Sequence, residues 1–324
     1  MPETIRLPHK PDAPLSYQLV PGQGPLSTTH LVVFLNGLIA PQSAWLPSIR
    51  ALQQRWDEHR RAADVPSLLT YDRYGQGESA RDPADALHGG SHDICEIVAD
   101  LRVLVHETWR TRIVGVSGSD APVRTPKLVF VSNSIGCVIG RFYAEKYPGT
   151  TAGLLFLDSN IANSDLVSLF PDPDAADFDP SALPPDSTVE DLRRTRAGYA
   201  AQFQPSAPNP EHWDRRNIMT LVPLSDGPAL EGAPWITVVG HDWETFAEEG
   251  LRGSMKVPKG LTNKYMNTPW AAYNEGLTHL TDAHRARGPV IAVGCGHFIQ
   301  KDDPLLVAEL TDDLIRKVER DGVA

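Results

Sequence analysis

Cysteine is scarce in this sequence, with three in 324 residues: Cys95, Cys137 and Cys295. They are odd in number, far apart and without a CxxC or Cys/His spacing, which argues against a disulfide framework and a zinc site. Such usage fits a reducing compartment, where thiols serve as small buried hydrophobes. Long hydrophobic runs are missing too. The stretch MPETIRLPHKPDAPLSYQLV is polar and broken by proline, lacking the apolar segment that a signal peptide or membrane span requires. A cytoplasmic protein with no membrane partner is therefore expected. Positive charge is also short, 30 Lys+Arg against 41 Asp+Glu for a formal net charge of −11. Nucleic-acid binding draws its affinity from clustered Lys and Arg, so nucleic acid is not an expected partner.

What is present is apolar material in short, regularly spaced runs. Hydrophobic residues make up 41% of the chain, enough to fill the core of one large α/β domain carrying an insertion. The runs HLVVFL (His30–Leu35), LLTY (Leu68–Tyr71), KLVFV (Lys127–Val131), LLFL (Leu154–Leu157), WITVV (Trp235–Val239) and VIAV (Val290–Val293) lack polar alternation. They read as strands buried on both faces. Helical spacing separates them: apolar residues recur at 94, 97, 98, 101, 104 and 105, again from Ser134 to Tyr147, and from Pro304 onward. Strand and helix in alternation predict a doubly wound, mostly parallel sheet. SYQLV (Ser16–Val20) alternates instead and ends at Pro21-Gly22, as an edge strand of an N-terminal antiparallel hairpin would.

Between Asn160 and Pro234 the composition shifts. Proline recurs at 171, 173, 180, 184, 185, 205, 208, 210, 223, 228 and 234, which bars a central strand. An amphipathic helix from Val189 to Phe203, with Trp213 and several leucines that need burial, marks a partly helical insertion lying over the sheet. The expected division is a core of residues 1–159 and 235–324 with a lid or cap at 160–234. A second irregular stretch, Val114–Pro126, reads as a surface loop.

KLVFV-SNSIG-CVIGRFYAEKYP reads strand, sharp turn, helix, with Ser134 at the turn's centre. Ser132 and Gly136, two places to either side, are small enough to let strand and helix approach, while the hydroxyl projects above the sheet. The helix that follows supplies N–H groups and a dipole favouring negative charge there. The similar run at 115–119 lacks the flanking strand and helix and is set aside.

With these segments the chain resembles the α/β-hydrolases. The first parallel strand ends in FLNGL, where that family commonly has His-Gly and then a residue whose N–H lines an oxyanion hole. The resemblance puts Leu38 in that role, partnered by the N–H of Ile135, with Asn36 replacing the usual His. YDRYGQGES (Tyr71–Ser79) resembles the family's D-x-x-G-x-G-x-S turn, to which a structural role is assigned. The general base is expected on the loop after the last strand, and VIAVGCGHF supplies a Gly-x-Gly turn and then His297, whose imidazole suits proton shuttling.

For the orienting carboxylate two candidates stand. Asp158 follows the strand Leu154–Leu157, and Asp242 follows Trp235–Val239, the position most of the family uses. The layout LLFLDSN, then Trp270–Leu277, then GCGHFIQ resembles a subgroup with the earlier acid, which favours Asp158. The implied chemistry is attack by Ser134 on an ester or lactone carbonyl and an acyl-enzyme relieved by water, with no cofactor and no metal. Phe170, Phe178, Phe203 and Trp213 suggest an apolar small-molecule substrate, for which esters and lactones of secondary metabolites are a reasonable class; the layout resembles that of some fungal lactonases, but the lid here is longer and their substrate does not carry over. An acyltransferase or thioesterase using the same residues, and a receptor of this fold that binds without turnover, are the alternatives.

Overall fold

The computed structural model describes residues 2–38, 40–59, 63–87, 89–115 and 125–321. The run at 115–119 and most of the loop expected at Val114–Pro126 lie outside them. Eight strands form one sheet: β1 (Glu3–Leu7), β2 (Lys10–Val20), β3 (His30–Leu35), β4 (Ser67–Tyr71), β5 (Lys127–Ser134), β6 (Thr151–Ser159), β7 (Trp235–His241) and β8 (Ala286–Ala292). Their order is β1-β2-β4-β3-β5-β6-β7-β8. β1 and β2 form the antiparallel hairpin, β2 is antiparallel to β4, and the pairs from β4 through β8 are parallel.

The side-chain period of two divides each central strand between two cores. On β3, Leu31, Val33 and Leu35 face one hydrophobic cluster, while Val32 and Phe34 face the other. The first cluster is covered by the helices Ile94–Thr108, Ile135–Lys146 and Thr268–Leu277, the second by Leu46–Glu58 and Pro304–Asp321. Helix Ile94–Thr108 begins at a reciprocal cap: the Asp93 carboxylate accepts from the N–H groups of Cys95 and Glu96, and Glu96 accepts from the Asp93 N–H. That cap starts the helix at Ile94, the first of the apolar positions at helical spacing.

One strand departs from expectation. Val290–Val293 reads as fully buried, yet β8 is the last strand, paired on one side only, and Ile291 and Val293 are 48% and 82% exposed. Pro289 fits this position because an edge strand tolerates a missing N–H. The insertion, in contrast, is as irregular as its prolines imply. Among the described residues its helices are Pro180–Ala182, Val189–Gln202 and Ile218–Leu221, and Phe170, Leu192, Tyr199 and Trp213 bury into the first cluster.

Chain order and sheet order diverge around β3, which lies between β4 and β5. The carboxyl ends of parallel strands at such a crossover leave a crevice, and the residues singled out from the sequence gather there.

At the opposite end of the sheet, His30 pairs across strands with Lys127 and is buried, its Nε2 without a partner among the described residues. Burial and the Lys127 charge lower its pKa to about 4. Between pH 6.5 and 4 the unfolded chain holds a proton there that the folded chain refuses, so stability falls as pH drops through that window. Replacing His30 by Gln should reduce the loss between pH 7 and pH 5 by about 1 kcal/mol, allowing for solvent screening, as read from urea midpoints at both pH values.

Candidate functional site

Ser134 ends β5 with φ 57° and ψ −128°, a backbone conformation that side chains rarely adopt, and it leads directly into the helix Ile135–Lys146. Such a turn costs on the order of 1–3 kcal/mol and persists only where its surroundings enforce it. The enforcement comes from close packing. A Cβ on Gly136 would lie 2.4 Å from the Leu35 carbonyl oxygen, and one on Gly37 would lie 3.3 Å from the Ser134 Cβ. The ends of β3 and β5 thus touch because both residues are glycine.

The neighbouring strand carries a second left-handed residue. Pairing runs Asn133 with Leu157 and then Ser134 with Ser159, so Asp158 is an extra residue in β6, with φ 48°. This bulge turns its carboxylate away from the strand's alternation. Asp158 Oδ2 accepts from His297 Nδ1 at 2.6 Å, and Oδ1 lies 2.8 Å from Nδ1 of a second histidine, His241, at the end of β7. The carboxylate has no exposure to water. Burial by itself would raise its pKa, but the hydrogen bonds from His241 and His297 outweigh that and hold it below the usual carboxylate range.

Asp242 is occupied elsewhere. It caps the helix Trp243–Arg252, accepting from the N–H and hydroxyl of Thr245 at 3.0 and 3.1 Å. The Thr245 N–H is the main reason its own pKa is lowered. Of the two carboxylates weighed in the sequence, Asp158 is the one hydrogen-bonded to His297.

Asn133, beside the serine, holds the histidine's loop. Its Nδ2 donates to the carbonyls of Leu157 and His297, both at 2.9 Å, and its Oδ1 accepts from Gln300 at 3.0 Å. Trp270 donates to the Ser159 carbonyl at 2.7 Å and meets the His297 ring edge-on, centroids 5.4 Å apart. Trp270 and Gln300 lie in segments on which the layout resemblance rests, and Asn133 lies in the serine turn, but the sequence does not show the contacts that join them.

The turn after β3 is held from below. Arg73 Nη2 and Gln76 Nε2 donate to the Gly37 carbonyl at 2.9 and 3.0 Å, and Arg73 Nη1 donates to that of Asn36 at 2.8 Å. The peptide between Gly37 and Leu38 is planar and trans, so the Leu38 N–H points to the side opposite that carbonyl. Arg73 is paired through Nε and Nη2 with Glu211 of the insertion, both bonds at 3.0 Å and both residues buried, while Trp213 lies over the guanidinium. The glycines of the 71–79 motif make the network possible. A Cβ on Gly77 would lie 2.3 Å from the Asp72 carboxylate, and one on Gly75 would lie 2.7 Å from the Glu211 carbonyl.

Ser134, Ile135, Leu38 and His297 border one cavity of about 290 Å³. Phe246, Trp270 and Phe298 complete its core side, and Asn160, Leu166, Tyr199, Gln202, Phe203 and Arg215 come from the insertion. Of the four insertion aromatics expected around a substrate, Phe203 alone is in this lining. Phe170 packs against Tyr199 and Tyr265, Trp213 covers Arg73, and Phe178 rests against the core. Helix Val189–Gln202 instead turns Tyr199 and Gln202 toward the cavity. Among the described residues no hydrogen bond joins Ser134 and His297, a contact that commonly tightens only with substrate in place. Another cavity, of about 230 Å³ beside Trp109, Leu128 and Tyr143, holds none of the site residues. Among the described residues no cluster of His, Cys, Asp and Glu could hold a metal ion, and no helix is long and apolar enough to cross a membrane.

Over residues 32–310 the sequence matches the model of the alpha/beta hydrolase family. The chain belongs to that family. A search of curated proteins found no match. Solved structures share the fold at low identity. A mutant epoxide hydrolase from Vigna radiata is 15% identical, with 98% of each chain covered and a TM-score of 0.55. A putative lipase from Acinetobacter baumannii is also 15% identical, covering 99% of this chain and 92% of its own, with a TM-score of 0.54. A thermophilic esterase from Thermogutta terrifontis, solved with malate bound, is 16% identical over 98% and 99%, with a TM-score of 0.52.

In this alpha/beta hydrolase, Glu211→Ala would leave the Arg73 guanidinium buried without its carboxylate. The expected cost is about 3–5 kcal/mol in urea unfolding, and Arg73→Met together with Glu211→Met should recover much of it.

Proposed function

We propose that this hydrolase cleaves a carboxylic ester or lactone of an apolar small molecule, with Ser134 as nucleophile, His297 as general base and Asp158 as the carboxylate that orients it. The observation that carries this reading is the strained turn at Ser134 opening on the same cavity as His297, whose other ring nitrogen is bound to a buried carboxylate.

With Nδ1–H committed to Asp158, Nε2 of His297 is the nitrogen available to take a proton. Ser134 Oγ attacks the carbonyl carbon as its proton passes to Nε2, and the carbonyl oxygen gathers negative charge. The N–H groups of Ile135 and Leu38 are the donors we assign to that oxygen. Ile135 opens the helix after the serine, where N–H groups lack internal partners, and the Leu38 N–H is oriented by the carbonyl that Arg73 and Gln76 hold on the opposite side. Collapse expels the alcohol, protonated by the imidazolium. A water molecule then repeats the sequence on the acyl-enzyme and frees the acid.

The apolar lining supports a hydrocarbon-rich substrate, and the cavity's size favours a small one. We read residues 160–234 as the cap over it, since they furnish Leu166, Tyr199, Gln202, Phe203 and Arg215. Epoxide opening, as named for the Vigna radiata relative, is the less favoured reading. The resemblance implies an aspartate nucleophile for that chemistry, and the elbow here carries serine. The unpaired Cys95, Cys137 and Cys295 fit the expectation of a cytoplasmic protein.

A fluorophosphonate probe should label Ser134 and leave Ser134→Ala unlabelled, with the modified residue located by mass spectrometry. On an activated ester, Ser134→Ala and His297→Ala should each lower turnover on the order of 10⁶-fold, and Asp158→Asn about 10⁴-fold. Asp242→Asn should stay within about threefold of wild type, since a helix cap contributes mainly to stability. Folded protein without labelling would favour a binding role, and normal turnover in Asp158→Asn would remove that residue from the mechanism.

A further inference from the structure

Asp158 serves two histidines, and the second is held so that each of its ring nitrogens faces an acceptor. His241 is 3% exposed. Its Nδ1 lies 2.8 Å from Asp158 Oδ1, an oxygen that also takes the His241 backbone N–H at 3.3 Å. Its Nε2 lies 3.0 Å from Asn267 Oδ1. The orientation of that amide is fixed by its other arm, which meets the Trp243 backbone carbonyl at 3.2 Å and Asn263 Oδ1 at 2.7 Å. A backbone carbonyl only accepts, so that arm is the NH₂ and the arm at His241 is the oxygen. A neutral imidazole in this place would set one lone pair against either the carboxylate or the amide oxygen. The imidazolium donates to both.

The surroundings favour the cation. Phe246 stacks on the His241 ring with centroids 4.2 Å apart and planes inclined by 29°, which presents an aromatic face to the charge. Trp270 stands perpendicular to the ring at 5.4 Å. The charged and titratable groups on the elements packed around it include Asp158 on β6, Asp242, Glu244, Glu248, Glu249 and the cation Arg252 at and along the helix Trp243–Arg252, the cation Lys264 on Thr262–Asn267, Glu275 on the helix Thr268–Leu277, and His297 with Cys295 on the loop after β8; Asp158 and Glu249 are the carboxylates that weigh on its proton. The carboxylates among them favour a proton on His241. Burial by itself would lower the pKa of His241, but the hydrogen bonds it donates to Asp158 and Asn267 and the nearby negative charge turn the balance upward.

We propose that His241 is a permanent imidazolium near neutral pH and a positioning residue of the site, which shares the negative charge of Asp158 and thereby sets the pH at which His297 becomes a free base. The array is a cation, a carboxylate and the proposed base, in that order. A lone buried carboxylate would bind the His297 proton more tightly. With part of its charge taken by His241, Asp158 still orients the ring but lets the proton leave at lower pH. The role of His297 in this inference rests on the hydrolase mechanism proposed above. The charge state of His241 does not.

Two measurements separate these. In wild-type protein, ¹⁵N NMR of the ring nitrogens should show His241 protonated on both at neutral pH. The variant His241→Asn keeps an amide donor near the position of Nδ1 and removes the charge. In it the His297 titration, and the acid limb of kcat/KM on an activated ester, should move to higher pH by roughly one unit. His241→Gln serves if the first variant does not fold. A neutral His241 in the wild type near pH 7, or a titration of His297 left unmoved in the variant, would overturn the proposal. Failure of fluorophosphonate to label Ser134 would overturn the hydrolase mechanism and leave the NMR result standing on its own.

Discussion

A carboxylate removed from water must find compensation within the protein, and the carboxyl edge of the sheet is organised around that demand at Asp158. The bulge in β6 brings the group out of the strand's alternation. Once there, it requires donors on both oxygens, and it draws them from two strand ends beyond its own, β7 through His241 and the loop after β8 through His297. The inward side of the site is thereby assembled by one buried charge. Asn133 acts in the same direction by tying β6 to the His297 backbone, so that the ring's nitrogen and the loop's carbonyl are fixed by separate bonds.

The serine turn is held by steric rather than electrostatic means. Nothing charged is needed at Ser134, because Gly136 against Leu35 and Gly37 against the serine's own Cβ leave the chain one way through. Strain in the backbone there is offset by the packing of β3 against the helix Ile135–Lys146. This division explains why the elbow was legible in the sequence. A strand, a turn flanked by small residues and a helix form a local pattern, and local patterns survive in one dimension. The central strands were legible for the same reason, since burial on both faces removes polar residues from the run. Val290–Val293 misled because apolar composition carries no record of which strand lies last in the sheet.

Residues whose roles depend on a distant partner were not legible. Asp158 and Asp242 both follow strands, and choosing between them from sequence rested on a resemblance of layout. What separates them in space is the bulge in β6, which a one-residue shift in register creates and which LLFLDSN does not announce. His241 stood one place before Asp242 and drew no notice, because its meaning comes from Asp158 and Asn267, 83 and 26 residues away in sequence. Glu211 and Arg73 are a further instance, separated by 138 residues and joined only by the way the insertion folds back. The 71–79 motif could be assigned a structural role, but what it supports, the Gly37 carbonyl, became apparent only with the loops in place.

The pair of Arg73 and Glu211 constrains how the proposed cap can act. Glu211 enters the core beneath the cavity and is buried on the guanidinium that holds the turn after β3. A hinge at this point would strip a buried ion pair of its partner, which the low dielectric makes costly. The part of the insertion around 211–213 is therefore fixed to the core, and the proposed oxyanion donor at Leu38 shares its anchor. Freedom to admit substrate is left to the rim. There Phe203 and Met219 are 38% and 37% exposed, next to Arg215, whose guanidinium is bonded, among the described residues, to backbone carbonyls of its own segment, those of Phe203, Gln204 and Ala207. Under the proposed mechanism, selection among esters or lactones falls to these rim side chains and to Tyr199 and Gln202 in the cavity lining, while the proposed oxyanion turn stays the same for every substrate that enters.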